Sequence, residues 1–217
     1  MFDLSPTRLL LWLPAVLIAL TFHEYAHARA AESLGDSTAR YMGRMSLNPL
    51  VHLDPLGFIL LLVVGFGWAK PVPVNPLNFK GDRQRGMMLV AAAGPLMNLF
   101  IAFTAALILN LALPGAGMMY SSAPLVQIML AIVYINVFLA VFNLIPVPPL
   151  DGSKVLAGLL RSNEITYQLE RYGPIILLVL IVTNVVGVVL MPLSNILISF
   201  LFKIAHLITA PFVGFFL

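Results

Sequence analysis

Long apolar runs separated by short polar stretches dominate the sequence. Arg8 and Arg29 are separated by 20 residues, which as a helix would rise about 30 Å, the thickness of a bilayer's hydrocarbon core. No charged residue or histidine occurs from Gly86 to Leu150, and the turn-forming segment LALPGAGMMYSSAP divides that run into two helices. Two further apolar runs begin at Gly173 and Pro192. The pattern predicts about five transmembrane helices.

The region between Asp36 and Arg85 breaks this pattern. DSTARYMGRMSLNP has the composition of short strands and turns, and AKPVPVNPLNF carries prolines at alternate positions, which favours an extended edge strand or a polyproline-like segment. The apolar segment 55–68 is short for a full crossing and is expected to be re-entrant or a short sixth segment. The predicted fold is therefore an all-α polytopic membrane protein with a small membrane-associated β element.

Composition supports a membrane protein. Hydrophobic residues make up 60% of the chain and charged residues 10%, with a mean hydropathy of +0.99, far from the roughly 25% charged of soluble domains. Most of the Lys and Arg residues fall in three short patches. The positive-inside rule assigns these patches to the cytoplasm, so they are not evidence for nucleic-acid binding. We expect one integral membrane domain over residues 1–217, with a core of about 9–160 and additional C-terminal helices over 172–217.

The first apolar run carries ionisable residues in the segment HEYAH. His23 and His27 are spaced i, i+4, so on a helix both imidazoles project from one face and are able to bind a single ion. Glu24 beside them is in the position of the general base of HExxH metallohydrolases. Each ionisable group in lipid costs about 2.5 to 3.5 kcal/mol on insertion scales, so three in one span without a function would be a heavy penalty.

A catalytic zinc needs a third protein ligand, and the chain has no cysteine. Asp151 is the first charged residue after the long uncharged run, at the predicted cytoplasmic end of its helix. His52 and Asp54 in the segment NPLVHLDPLG are the alternatives. Asp151 leads only modestly on these grounds, because an aspartate there would also serve as the N-cap of the helix that follows.

Three motifs together carry a resemblance to a known family. HEYAH, AAAGPLMNLF and NLIPVPPLDG occur in the order and rough spacing of the site-2 protease family of intramembrane zinc metalloproteases. The chain resembles a minimal member without a PDZ-like insert or a cystathionine-synthase-like domain. The resemblance implies one Zn²⁺ bound by two histidines and an aspartate, a catalytic glutamate, and a transmembrane protein as substrate. It maps these roles onto His23, His27, Asp151 and Glu24.

The resemblance also suggests roles for polar residues near the predicted site. Asn143 and Pro146 belong to the family's NxxPxxxxDG motif, and Asn143 is expected to position the substrate or to polarise its carbonyl. Asn98, in the GPxxN motif, is expected to hydrogen-bond between helices. TARYMGRMSL or KPVPVNP would offer an edge for an unwound substrate to pair with, or would be ordinary connecting structure.

The predicted function is hydrolysis of peptide bonds in or near the transmembrane segments of membrane proteins. The expected location is a bacterial or archaeal cell membrane, with the active site toward the cytoplasm. Two alternatives remain at this point: a divalent-metal carrier, because HxxxH pairs within spans also serve in transport, and a catalytically inactive membrane scaffold. The sequence names neither the substrate nor the oligomeric state.

Overall fold

The computed structural model describes residues 6–64, 67–113, 122–160 and 163–213. These residues are almost entirely helical, as predicted. Two 3-10 helices, Pro49–Val51 and Pro76–Asn78, accompany eight α-helices over the described ranges: α1 (Pro6–Ser33), α2 (Thr38–Tyr41), α3 (Pro55–Val64), α4 (Arg83–Ala112), α5 (Pro124–Asn143), α6 (Asp151–Leu160), α7 (Asn163–Val182) and α8 (Val185–Val213).

Three of the described helices are long and apolar enough to cross a membrane: Arg83–Ala112, Pro124–Asn143 and Val185–Phe212. The predicted turn between the first two falls mostly at 114–121, outside the described residues. Helices α1 and α7 have 28 and 20 residues, so their lengths also suffice. The composition of α1 is less apolar because it carries the HEYAH segment. An all-α polytopic membrane protein is thus confirmed.

Helices α1, α4 and α5 pack against one another, and α8 packs on α4 and α5. Small residues line this contact. Alanines are buried on every one of these helices, among them Ala15, Ala19, Ala102, Ala105, Ala106, Ala131, Ala140 and Ala205. Membrane helices associate through close packing rather than through the hydrophobic effect, and small side chains let their backbones approach. The polar residues of α1 are therefore held directly against α4.

The predicted β element is not formed in the described residues, so this part of the prediction is wrong. TARY is the single-turn helix α2. In KPVPVNP, residues 70–75 belong to no helix or strand, and Pro76 begins the second 3-10 helix. The one β-type pairing there is an isolated antiparallel bridge between Leu53 and Ala69. A proline has no N–H to donate to a ladder, and the N–H groups of Val72 and Asn75 both donate to carboxylates.

Helix α3 is the predicted short apolar segment. Its ten residues rise about 15 Å, half the thickness of a hydrocarbon core. Leu56, Ile59 and Val63 are all more than half exposed on it. This length and this apolar surface agree with a re-entrant or short sixth segment.

Asp36 joins the end of α1 to the segment 70–78. In this segment residues 70–75 lie outside any helix or strand, and Pro76–Asn78 form a 3-10 helix. Its side chain is fully buried. Oδ1 accepts hydrogen bonds from the backbone N–H and the hydroxyl of Thr38 and from Nδ2 of Asn78, at 3.1, 2.5 and 2.7 Å. Oδ2 accepts from the N–H of Asn75 at 2.7 Å. Burial raises the pKa of Asp36, but these hydrogen bonds lower it more, and the net pKa lies below its ordinary value.

Replacing Asp36 with Asn should destabilise the protein. The carboxylate oxygens only accept hydrogen bonds, whereas the new NH₂ group donates, so it would face N–H or O–H groups that also donate. We expect a loss of about 2 kcal/mol in the free energy of unfolding, seen as a midpoint lower by about 4 to 8 °C in thermal unfolding in detergent. The difference from wild type should shrink in acid, since the stability from a carboxylate of lowered pKa is lost as the pH falls through its folded pKa.

Asp82→Asn is the matched control. Asp82 is the N-cap of α4 and accepts from the N–H of Arg85, a role that asparagine fills equally well. The thermal unfolding midpoint of Asp82→Asn should stay near that of the wild type. Equal midpoints for Asp36→Asn and Asp82→Asn would show that Asp36 does not anchor the segment.

Candidate metal centre

His23 and His27 lie one turn apart on α1, and both are buried. Their Nε2 atoms are 3.0 Å apart, with the rings nearly perpendicular and their centroids separated by 4.5 Å. The i, i+4 spacing on a helix produces this convergence, as the sequence predicts.

Asp151 completes the cluster from the first turn of α6. Its Oδ2 lies 3.1 Å from Nε2 of His23 and 3.2 Å from Nε2 of His27. Among the described residues these three form the one group of His, Asp or Glu side chains able to hold a metal ion. Donors about 2.0 to 2.2 Å from one tetrahedral zinc lie about 3.3 to 3.6 Å apart, so the three ligand atoms are spaced almost as a zinc site requires.

The hydrogen bonds of the two Nδ1 atoms determine which nitrogen of each imidazole faces the cluster. Nδ1 of His23 lies 2.7 Å from Oδ1 of Asn98, and Nδ1 of His27 lies 2.7 Å from the carbonyl oxygen of Val90. Both partners accept, so both Nδ1 atoms donate, and in the neutral form of each imidazole the lone pair lies on Nε2. Two lone pairs and a carboxylate oxygen then meet in a buried space, an arrangement that is repulsive without a cation.

Gly94 of α4 makes room for the two imidazoles. A Cβ built on it would lie 2.5 Å from Nε2 of His27 and 2.6 Å from Cε1 of His23. Such distances are well inside van der Waals contact. A glycine at this position therefore lets α1 and α4 approach closely enough for both imidazoles to contact α4.

The connection between α5 and α6 places Asp151 next to the two histidines. A Cβ on Gly152 would meet the backbone carbonyls of Leu144 and Ile145, so the first turn of α6 rests directly on that connection. Nε2 of Gln84 donates to the carbonyl of Ala157 at 2.9 Å, which ties α6 to α4. Asp151 is the first residue of α6 rather than the N-cap predicted for a helix starting at Gly152, and a carboxylate in this first turn complements the helix dipole.

Glu24 is buried next to His23. Its Oε2 accepts a hydrogen bond from the backbone N–H of Val72 at 2.8 Å. The segment 70–78 thus passes beside this carboxylate. Glu24 binds its Val72 N–H group, and Asp36 binds its Asn75 N–H group further along. The bond fixes the rotamer of Glu24 while its second oxygen takes no part in it.

The alternative third ligands lie elsewhere. His52 is buried with Nε2 2.7 Å from the carbonyl of Ser46, and Asp54 accepts from the N–H of Gly57 at the start of α3. Asn143 ends α5 and donates from Nδ2 to the carbonyl of Leu139 at 3.0 Å. Pro146 is exposed on the α5–α6 connection. Neither Asn143 nor Pro146 has a hydrogen bond to the cluster among the described residues.

The sequence alone did not reveal several residues that build this site. It gave no role to Gly94, to the N–H of Val72 or to Asn136, which accepts from Nδ2 of Asn98 at 2.8 Å. For Asn98 it predicted hydrogen bonding between helices, which is correct, but not that the partner is a histidine of the cluster. Asparagines within apolar runs were the available signal, because a buried amide in such a helix needs partners.

Gly94→Ala should displace the imidazoles and lower zinc content in the purified protein, because the added methyl group occupies space now filled by His27. Gly86→Ala is the matched control, since a Cβ there meets the Phe79 ring at a similar 2.5 Å, away from the cluster. Both variants should unfold at lower temperature, and only Gly94→Ala should lose bound zinc, measured by elemental analysis. Full zinc in Gly94→Ala would contradict the packing argument.

Comparison with known proteins identifies the family. The model of peptidase family M50 matches residues 111–187. YwhC of Bacillus subtilis, whose name describes it as a candidate zinc metalloprotease, is 44% identical over 186 residues, covering 83% of this chain and 84% of YwhC. No solved structure matched the chain.

Two more distant relatives carry the same description in their names. MJ0611 of Methanocaldococcus jannaschii is 33% identical over 146 residues, covering 65% of this chain and 66% of that protein. Rip2 of Mycolicibacterium smegmatis is 29% identical over 172 residues, covering 77% of this chain and 64% of Rip2. The resemblance to site-2 proteases is thereby confirmed: the chain belongs to peptidase family M50 and is a zinc metalloprotease of the membrane.

Proposed function

We propose that the protein hydrolyses peptide bonds in or next to the transmembrane segments of other membrane proteins. His23, His27 and Asp151 are its zinc ligands in this proposal, and Glu24 is its general base. One observation supports it most: three metal-ligating atoms from α1 and α6 converge beside a buried glutamate, among helices apolar enough to cross a membrane.

The chemistry follows from what each side chain is able to do. A bound zinc supplies Lewis acidity, which polarises the scissile carbonyl and makes an attacking water more acidic. Glu24 accepts a proton from that water as its oxygen bonds to the carbonyl carbon, and returns a proton to the amine as the C–N bond breaks. Val72 holds Glu24 in one rotamer during both transfers.

Asp151 is set up to bind through one oxygen. Its Oδ2 faces both imidazoles, whereas Oδ1 lies 4.0 Å from Nζ of Lys154 on the next turn of α6. These two imidazoles and one carboxylate oxygen would hold a zinc through three protein ligands, and a zinc held in this way would be able to act on water or substrate. This is the ligand count of a catalytic rather than a structural site.

The position of the cluster supports cleavage near the cytoplasmic face. The HEYAH segment lies in the C-terminal half of α1, and Arg29, Arg40 and Arg44 follow within a short distance along the chain. Basic residues flanking a span favour the cytoplasm. We assign Asn143 and Pro146 to substrate binding, because they lie on the connection that leads into Asp151. We also propose that residues 1–217 form a single protease domain.

Glu24→Gln should keep its zinc and lose cleavage at least 100-fold, since the amide is unable to accept the proton. The assay is cleavage of a labelled membrane-spanning peptide by purified protein in proteoliposomes, with zinc measured on the same sample. Asp54→Asn, which changes a capping carboxylate at the start of α3, is the control and should cleave at the wild-type rate. Cleavage by Glu24→Gln at the wild-type rate would refute the mechanism.

Removing the metal with a chelator should abolish cleavage, and stoichiometric Zn²⁺ should restore it. The ligand set explains the result, because the three donors converge only on a shared cation. Thermal unfolding of the chelated sample should still show a cooperative transition, since the bulk of the α1, α4 and α5 packing is independent of the ion. Cleavage that persists with less than one tenth of the zinc remaining would overturn the proposal.

A further inference from the structure

A chain of buried amides links α5 to the metal centre. Nδ2 of Asn98 on α4 donates to Oδ1 of Asn136 on α5 at 2.8 Å, and Oδ1 of Asn98 faces Nδ1 of His23 on α1 at 2.7 Å. Both asparagines are fully buried. Three helices thus meet through one continuous set of hydrogen bonds that ends at a histidine of the cluster.

Two backbone carbonyls determine which end of each asparagine amide donates and which end accepts. Nδ2 of Asn136 lies 2.8 Å from the carbonyl of Ile132, and Nδ2 of Asn98 lies 3.0 Å from the carbonyl of Ala19. A backbone carbonyl only accepts, so each amide must turn its NH₂ toward it. Oδ1 of Asn136 then faces Asn98, and Oδ1 of Asn98 must face His23.

One tautomer of His23 satisfies this network. Because Oδ1 of Asn98 only accepts, Nδ1 of His23 must carry the proton, and the lone pair of Nε2 is left facing Asp151. If the amide of Asn98 rotated by half a turn, its NH₂ would face His23 and would favour the opposite tautomer, with the proton on Nε2. Asn136 opposes that rotation together with the carbonyl of Ala19, since both acceptors would then face the oxygen of Asn98.

We propose that Asn136 is a positioning residue that, through Asn98, holds His23 in the tautomer and ring orientation in which Nε2 is available to a metal. The proposal extends the proposed zinc site to a residue that does not contact it. Groups of this kind, which orient a ligand without touching the metal, commonly change metal affinity 10- to 100-fold when they are removed.

The two histidines differ in this respect. Nδ1 of His27 faces the carbonyl of Val90, a backbone group that has one hydrogen-bonding role and needs no side chain to orient it. His23 depends instead on an amide, whose two ends are nearly the same shape but have opposite hydrogen-bonding roles. Loss of Asn136 should therefore act on His23 and leave His27 unchanged.

Asn110 provides a matched control. It is buried on α4, and its Nδ2 donates to the carbonyl of Ala106 one turn earlier at 2.9 Å. Asn136 bonds its own helix in the same way. Replacing either residue with leucine removes a buried amide from an apolar helix, but only the change at Asn136 removes an acceptor from Asn98. Effects of burial or packing alone should appear in both variants.

The first experiment measures zinc affinity of the full chain in detergent by competition with a chromogenic chelator. We expect Asn136→Leu to weaken zinc binding about tenfold and Asn98→Leu more, with Asn110→Leu unchanged. Asn136→Asp, which keeps an oxygen facing Asn98, should bind more tightly than Asn136→Leu. If Asn136→Leu fails to fold, Asn136→Ala removes the amide without adding bulk. Equal affinity in the variants at Asn136 and Asn110 would overturn the proposal.

The second experiment reads the tautomer directly from ¹⁵N NMR of histidine-labelled, metal-free protein, with His23→Gln identifying the His23 signals. In wild type, Nδ1 of His23 should be the protonated nitrogen; in Asn136→Leu the signals should shift toward a mixture of tautomers, while those of His27 stay in place. An unchanged His23 tautomer would contradict the role of Asn136. Because this readout needs no metal, it tests Asn136 even if wild type were found to bind no zinc, a result that would refute the proposed function instead.

Discussion

The structure depends on one electrostatic constraint: two imidazole lone pairs and a carboxylate oxygen meet within about 3 Å in a buried space. Such a group is unfavourable by itself, because buried lone pairs and a buried charge need partners. A divalent cation converts that repulsion into binding energy shared between α1 and α6. Membership of peptidase family M50 and the relative YwhC, which is named as a candidate zinc metalloprotease, identify that cation as zinc. The polar residues of an otherwise apolar helix are explained by this one requirement.

The surrounding helices are built to meet the requirement. Alanines let α1, α4 and α5 approach closely, and Gly94 provides the space into which the imidazoles fit. The Nδ1 atoms of the two histidines hydrogen-bond to Asn98 and to the carbonyl of Val90, so the Nε2 atoms are left for the metal. Glu24 is fixed independently by Val72. The proposed zinc ligands and the proposed general base are thus positioned by different parts of the chain.

Local patterns predicted the helices and the ligands, and long-range packing decided the rest. The i, i+4 spacing places His23 and His27 together wherever α1 lies. The uncharged run before Asp151 favoured it only modestly over His52 and Asp54, and the family resemblance made it the proposed third ligand. The predicted β element is not formed, because the N–H groups of Val72 and Asn75 donate to Glu24 and Asp36 rather than to a neighbouring strand. No periodicity indicates such bonds. The role of Asn136 was equally hidden, since it depends on which of three helices face one another.

The most direct test of the central claim is the zinc K-edge absorption spectrum of the purified protein. The account predicts one zinc per chain, with two imidazole nitrogens and one carboxylate oxygen about 2.0 to 2.2 Å from the metal. It also predicts that the zinc is lost in Asp151→Ala, which leaves the two histidines of α1 in place. A wild-type protein without stoichiometric zinc, or an Asp151→Ala variant with an unchanged spectrum, would contradict it.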